Sequence, residues 1–246
     1  MNVVKTIGRF GMSRYHKIGA GYQRRERLSY RARVEAMSPV AYWSCDQSAG
    51  TNIEEHISGA DGTYVGATLG MAQLNALPVP YFDGINDYVS LPHAQLTALN
   101  GNPLAFSAWF WRANWNPGTQ YVLLYTGYGA TNNRWRLYYN STASQMRFEW
   151  MVAGTPYVSY MSATLLSAGW HHFIGAITAA GSLNIYVDGE AQTGASGASL
   201  LTGISEAWAC SGTTPPSSPN AGYLSRYALF NRALSQDERA SLGRFW

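Results

Sequence analysis

From Val40 to Phe230 the chain is a succession of short runs rich in Val, Ile, Tyr, Trp and Phe, each closed by Gly, Asn, Asp, Ser or Pro. Runs of that length and composition predict strands over 40–45, 62–65, 80–82, 87–91, 105–112, 120–126, 134–139, 145–151, 157–161, 170–178, 182–187, 207–210 and 222–230. No helical period alternates with them, so the pattern excludes a parallel α/β sheet. It predicts an all-β sandwich of two antiparallel sheets. Helix is expected only at the flanks. Residues 28–37 allow one or two turns before Ser38-Pro39. Near the C-terminus, Ser235 with Glu238 three residues on is a capping-box pair.

Composition fits a sandwich with a large core: of 246 residues 46% are hydrophobic, 14% aromatic and only 13% charged. The charge is unevenly placed. The first 37 residues hold nine Lys and Arg against Glu26 and Glu35, a net +7, and the remainder holds eight against twelve acids, a net −4. Lys5, Arg9, Arg14, Tyr15, Lys17, Tyr22, Arg24, Arg25 and Arg27 lie among Gly8, Gly11, Gly19 and Gly21 without an apolar period. Such a segment cannot bury enough surface to fold alone and is expected to order against a partner. Two regions follow, a basic anchoring arm at 1–37 and a folded domain at 38–246. No apolar run approaches the roughly 18 residues of a membrane span, and the N-terminus lacks an apolar signal segment. The chain is therefore expected to be made in a host cytoplasm and to need no membrane. Cys45 and Cys210 lack metal-pair spacing. They are either two buried thiols or a bridge between early and late strands.

Four segments carry a family resemblance: Ser38-Pro39-Val40-Ala41-Tyr42-Trp43, Tyr81-Phe82-Asp83-Gly84-Ile85-Asn86-Asp87-Tyr88-Val89, Gly169-Trp170-His171-His172-Phe173 with Tyr186-Val187-Asp188-Gly189 behind it, and Tyr227-Ala228-Leu229-Phe230-Asn231-Arg232-Ala233-Leu234-Ser235. In that order they resemble the laminin-G-like jelly rolls of the concanavalin-A-like lectin and glucanase superfamily, of the kind found in phage virion structural proteins. The resemblance implies a jelly roll over 38–242. It does not imply one activity, because the superfamily spans lectins, glycosidases and structural domains. It also implies an acidic pair ahead of the closing aromatic residue. This chain has Ser225-Arg226 there, which weakens any calcium site of the family and leaves Asp46 to meet Arg226.

The chemistry visible in the residues is sparse. Glycosidases need two carboxylates about 5–10 Å apart across a cleft. Glu54-Glu55 and Asp237-Glu238 are adjacent pairs, and Glu149 is alone on its strand. No catalytic residues are expected. Asp83 and Asp87 are weak calcium candidates, against a plain Asx turn. Otherwise no metal or cofactor is expected. For His171-His172, strand alternation puts one ring in the core and the other outside.

The densest aromatic region is 115–160, and Arg134, Arg136 and Arg147 share it. Alternation places Trp135, Leu137 and Tyr139 inward and Arg134, Arg136 and Tyr138 outward, as a glycan or subunit contact. Three functions follow. The first is a non-enzymatic virion structural protein of a phage, the setting that the resemblance implies and that a basic arm ahead of a jelly roll fits. Its arm would anchor to capsid, portal or tail proteins, and the jelly roll would be displayed as an oligomeric decoration, fibre or adhesion module. The second is a lectin module for cell-surface glycans, and the third a glycoside hydrolase. Nucleic acid is a weaker partner for the arm than protein, because the attached domain resembles an exterior module.

Overall fold

The structure is a computed structural model and describes residues 29–74, 77–127, 133–204, 206–212 and 217–244. The arm candidates Lys5, Arg9, Arg14, Tyr15, Lys17, Tyr22, Arg24, Arg25 and Arg27 lie outside the described residues. Strands and helices are numbered in chain order. The first sheet runs β14 (Glu190–Ala191), β13 (Leu183–Val187), β12 (Gly169–Ile177), β7 (Leu104–Arg112), β16 (Ala221–Phe230), β5 (Leu77–Asp83) and β4 (Thr68–Leu74), with β1 (Ala41–Trp43) also on β16. The second runs β11 (Thr155–Ser162), β10 (Gln145–Val152), β9 (Arg134–Asn140), β8 (Tyr121–Gly127), β15 (Glu206–Ala209), β6 (Tyr88–Leu91), β3 (Gly62–Val65) and β2 (Asn52–Ile53). All recorded pairings are antiparallel. The two sheets enclose one core, as the punctuation predicted.

Alternation decides what enters that core. On β7, Phe106 and Phe110 point between the sheets, while Trp109 points to the opposite face. Across the core, the Phe106 ring stacks on Trp135, with centroids 5.3 Å apart. Gly175 makes room beside Phe106, because a Cβ there would lie 2.2 Å from a Phe106 ring carbon. The far face of the first sheet is covered by α1 (Tyr30–Glu35) and α2 (Gln236–Leu242). Tyr30, Val34 and Leu242 pack there with Trp109, Ile174 and Phe230. Buried on both sides, β7 needs apolar residues at nearly every position, and Leu-Ala-Phe-Ser-Ala-Trp-Phe-Trp supplies them.

Sequence and structure differ in three strands and in two 3-10 helices, His93–Leu99 and Ala163–Leu165, which lie inside the region where no helix was expected. β2, β4 and β14 carry no sequence period. Two of them have two residues each, and β4 breaks register between Thr68 and Ala72, which destroys a two-residue alternation. Asp188 and Gly189, at φ 53° and 91°, make the tight turn from β13 to β14 that their pairing anticipated. Ser235 and Glu238 form the expected capping box on α2. The segment 30–35, grouped with the arm on charge, is packed onto the sandwich. Its Arg33 donates to the Ser241 carbonyl in the last turn of α2 and to the Arg244 carbonyl just beyond it. Cys45 and Cys210 are buried free thiols, so the bridge is not formed. Among the described residues no helix is long and apolar enough to cross a membrane.

Candidate functional site

Because both α-helices lie on the first sheet, the outer face of the second is left open among the described residues. Cross-strand register aligns one row of side chains over this face. Val158 stands opposite Glu149, Glu149 opposite Arg136, Arg136 opposite Tyr125, Tyr125 opposite Trp208, and Trp208 opposite Ser90. A second row brings Tyr160, Arg147 and Tyr138 side by side. Tyr125, Trp208, Arg134, Arg136, Arg147 and Tyr160 are all half-buried. The Tyr125 and Trp208 rings lie 5.5 Å apart and tilted by 36°. The Tyr125 ring lies against Gly127, where a Cβ would come within 2.6 Å of the phenol oxygen. A missing side chain two residues away therefore fixes where this ring rests.

Glu149 is the hub of the polar half. It accepts from Arg134 Nε at 3.0 Å, Arg136 Nη2 at 3.1 Å and the Tyr138 hydroxyl at 3.3 Å. The Arg136 guanidinium also lies over the Tyr138 ring, 3.9 Å from its centroid. The expected inward set is confirmed, since Trp135, Leu137 and Tyr139 are fully in the core. Tyr138 does point to the outer side, but it is only 2% exposed. Arg136 and Glu149 seal it, so it supports the surface from below. Glu149, itself 4% exposed, is alone among acids on its strand yet holds both arginines in place. Sequence reasoning missed it because the cross-strand register that joins it to Arg136 is set by tertiary pairing. Trp208 was missed as a site residue for the same reason: it lies far along the chain from Tyr125.

The other candidates resolve differently. Asp83 Oδ1 accepts from the Ile85 and Asn86 amides, and Asp87 Oδ2 accepts from the Asp83 amide. These bonds make the Asx-type turn, with both carboxylates engaged by backbone. Asp46 accepts from the Ser44 hydroxyl and Gln47, and does not ion-pair with Arg226 as expected. Both histidines are buried, which corrects the expectation of one exposed ring. Alternation does separate them, but each side is covered. His171 packs edge-on to Trp115 and bonds Asp188 and the Ser167 carbonyl. His172 lies beneath the end of α2, stacked 4.7 Å from Trp109 and bonded to Ser107. Burial alone would lower the His171 pKa. The Asp188 carboxylate and the Ser167 carbonyl outweigh it, so the value is raised. For His172 burial dominates and brings the pKa down to about 3.

This is a two-sheet jelly roll with one helix-covered face and one open, aromatic and arginine-bearing face. The sequence profile of the concanavalin A-like lectin/glucanases superfamily matches residues 83–238, more than half of the chain, and the chain belongs to that superfamily. No curated protein matches it. Among solved structures it is similar to domain 4 of AbnA, a GH43 extracellular arabinanase from Geobacillus stearothermophilus solved in complex with arabinotriose. That match has a TM-score of 0.66 at 15% identity and covers 84% of this chain and 98% of that one. It is also similar to Trypanosoma rangeli sialidase in complex with sialic acid, with a TM-score of 0.61 at 16% identity, covering 82% of this chain. The matched part is 32% of the sialidase, so this chain spans about a third of that enzyme's length. At these identities the likeness shows the fold alone.

Proposed function

We propose that this chain is a non-enzymatic glycan-binding jelly roll displayed on a virion as an adhesion module. In this reading the residues ahead of α1 anchor it to a capsid, portal or tail scaffold. The observation that carries the glycan reading is the row Arg136, Tyr125, Trp208 across the open face. Half-buried aromatic rings offer apolar faces on which sugar rings stack, and flanking arginines donate to hydroxyls. Support comes also from AbnA domain 4, a fold neighbour solved with arabinotriose. Two points favour a non-enzymatic role. Glu149 is the one carboxylate among the described side chains of that row, and its oxygens are occupied by three donors. Glycoside hydrolysis needs a second acid facing it.

The test is binding of the full chain to a glycan array, repeated with Tyr125→Ala/Trp208→Ala. Loss of about tenfold or more in affinity, with unfolding unchanged, is the expected outcome for paired aromatic anchors. Undiminished binding by the double variant would overturn the assignment of this face. A second reading rests on Arg134, Arg136 and Arg147 among Tyr and Trp, a composition enriched at protein interfaces. On that reading the same variant loses a contact between copies, and sedimentation would show it.

A further inference from the structure

The first sheet carries a cavity where β16 changes neighbours. Ala221 to Tyr223 pair with β5, and Tyr227 to Leu229 pair with β1. Between these stretches β16 bulges against β7, and Arg226 sits in the bulge at φ 55°. Its side chain lines a cavity of about 250 Å³ between the start of α1, the end of β1 and the segment around His56. Arg226 is 5% exposed, and its Nη1 has no hydrogen-bond partner among the described residues. No described carboxylate comes within ion-pairing distance of it; the guanidinium instead lies 4.3 Å from the Tyr30 ring centroid. One residue thus bears two costs, a left-handed backbone without glycine and a buried cation that forms no ion pair among the described residues. Such costs persist where surrounding structure enforces them, and they cluster at ligand clamps.

The rest of the lining includes a connected chain of polar groups, which the Arg226 amide joins by donating to the Ser44 carbonyl at 3.0 Å. The Ser44 hydroxyl donates to Asp46 Oδ1 at 2.6 Å, so its oxygen is left to accept from His56 Nε2 at 3.0 Å. His56 Nδ1 lies 3.4 Å from Glu54 Oε1. A guanidinium and two carboxylates in one lining do not suit a simple anion, which Asp46 and Glu54 would repel. They suit a molecule with a carboxylate at one end and hydroxyls at the other. A guanidinium grips a carboxylate with two parallel hydrogen bonds. Hydroxyls donate to carboxylates. The cavity is smaller than the roughly 300–1,000 Å³ of drug-sized ligand pockets, which limits the occupant to a single ring.

We propose that this cavity binds one acidic monosaccharide of the uronic-acid class, its carboxylate on Arg226 and its hydroxyls on Asp46 and Glu54. The site shares no residue with the open face of the second sheet. The ¹⁵N-labelled full chain is titrated separately with glucuronate, glucose and acetate, following the amides of Ser44, Asp46, His56 and Arg226. Glucuronate is expected to give saturable shifts there, with glucose and acetate about tenfold weaker or more, as loss of a charge-assisted pair requires. Arg226→Gln is expected to abolish the shifts. Because that change also touches the bulge, Asp46→Ala, in an ordinary loop, serves as the second variant and is expected to weaken glucuronate several-fold. Equal binding of acetate, equal binding of glucose, no saturable shift, or full binding by Asp46→Ala each overturns the proposal. Tyr125→Ala/Trp208→Ala is expected to leave these shifts unchanged, so failure at one face is separable from failure at the other.

Discussion

At the residue scale, Glu149 shows how a single carboxylate organises a surface. Its two oxygens serve three donors on the neighbouring strand, and it is nearly inaccessible to water. Arg136→Ala leaves that carboxylate buried with a weaker shell, at a cost of about 3 kcal/mol, the scale for breaking a buried ion pair. Tyr138→Phe removes one hydrogen bond and costs about 1 kcal/mol. Chemical denaturation of both variants checks the order. Gly127→Ala places a methyl against the Tyr125 phenol. It is expected to move that ring and reduce glycan binding while the fold persists, read by glycan array beside circular dichroism. His172 carries a pH signature. Burial holds its folded pKa down at about 3, well below the usual 6.5. Between those values the unfolded chain binds the extra proton, so stability falls as pH drops from about 6.5 and levels off below about 3. His172→Gln is expected to flatten that part of the stability–pH curve.

At the element scale, α2 is a short helix held by its ends. Ser235 and Glu238 cap it reciprocally, and Arg232 bonds both Glu238 and the Met37 carbonyl beyond α1. The Arg232 guanidinium and the Ser235 bonds hold the Glu238 carboxyl down at about 2. A lowered carboxylate contributes stability that is present above its unfolded pKa, about 4.3, and is lost as pH falls through about 2. Glu238→Gln should therefore unfold more easily than the parent at neutral pH, and the gap should close across that window. Ser235→Ala should cost about 1 kcal/mol. The importance of α2 is positional: with α1 it covers the first sheet, and so decides which sheet face stays open.

At the scale of the whole molecule, one continuous core spans both sheets, and the two thiols are part of it. Burial pushes the Cys45 thiol up to about 12 and raises Cys210 as well. Neither is expected to react with a thiol reagent at neutral pH until the sandwich unfolds, and both should then react together. Reaction of one thiol in the native protein would show local opening at that strand end. Deleting residues 1–27 is expected to leave a folded jelly roll that no longer enters its assembly, because the deleted basic segment has no apolar period of its own. Full incorporation of the shortened chain would remove the anchoring role.

The sandwich, its inward faces and its turns were legible in the residues, because alternation, Asp188-Gly189 and the capping pair at Ser235 and Glu238 act over a few residues. The inward set Trp135, Leu137 and Tyr139 followed from that local rule alone. The candidate site was legible only in part. Arg134 and Arg136 were visible as outward cations, but their joining to Glu149 depends on strand register, and the meeting of Tyr125 with Trp208 on the pairing of β8 with β15. Long-range packing alone decided that Tyr138 lies sealed, that both histidines are covered and that Arg226 stands buried beside a cavity. The local sequence fixes which face a side chain takes, but what lies over that face is supplied by residues far along the chain, and burial and charge pairing follow from that cover.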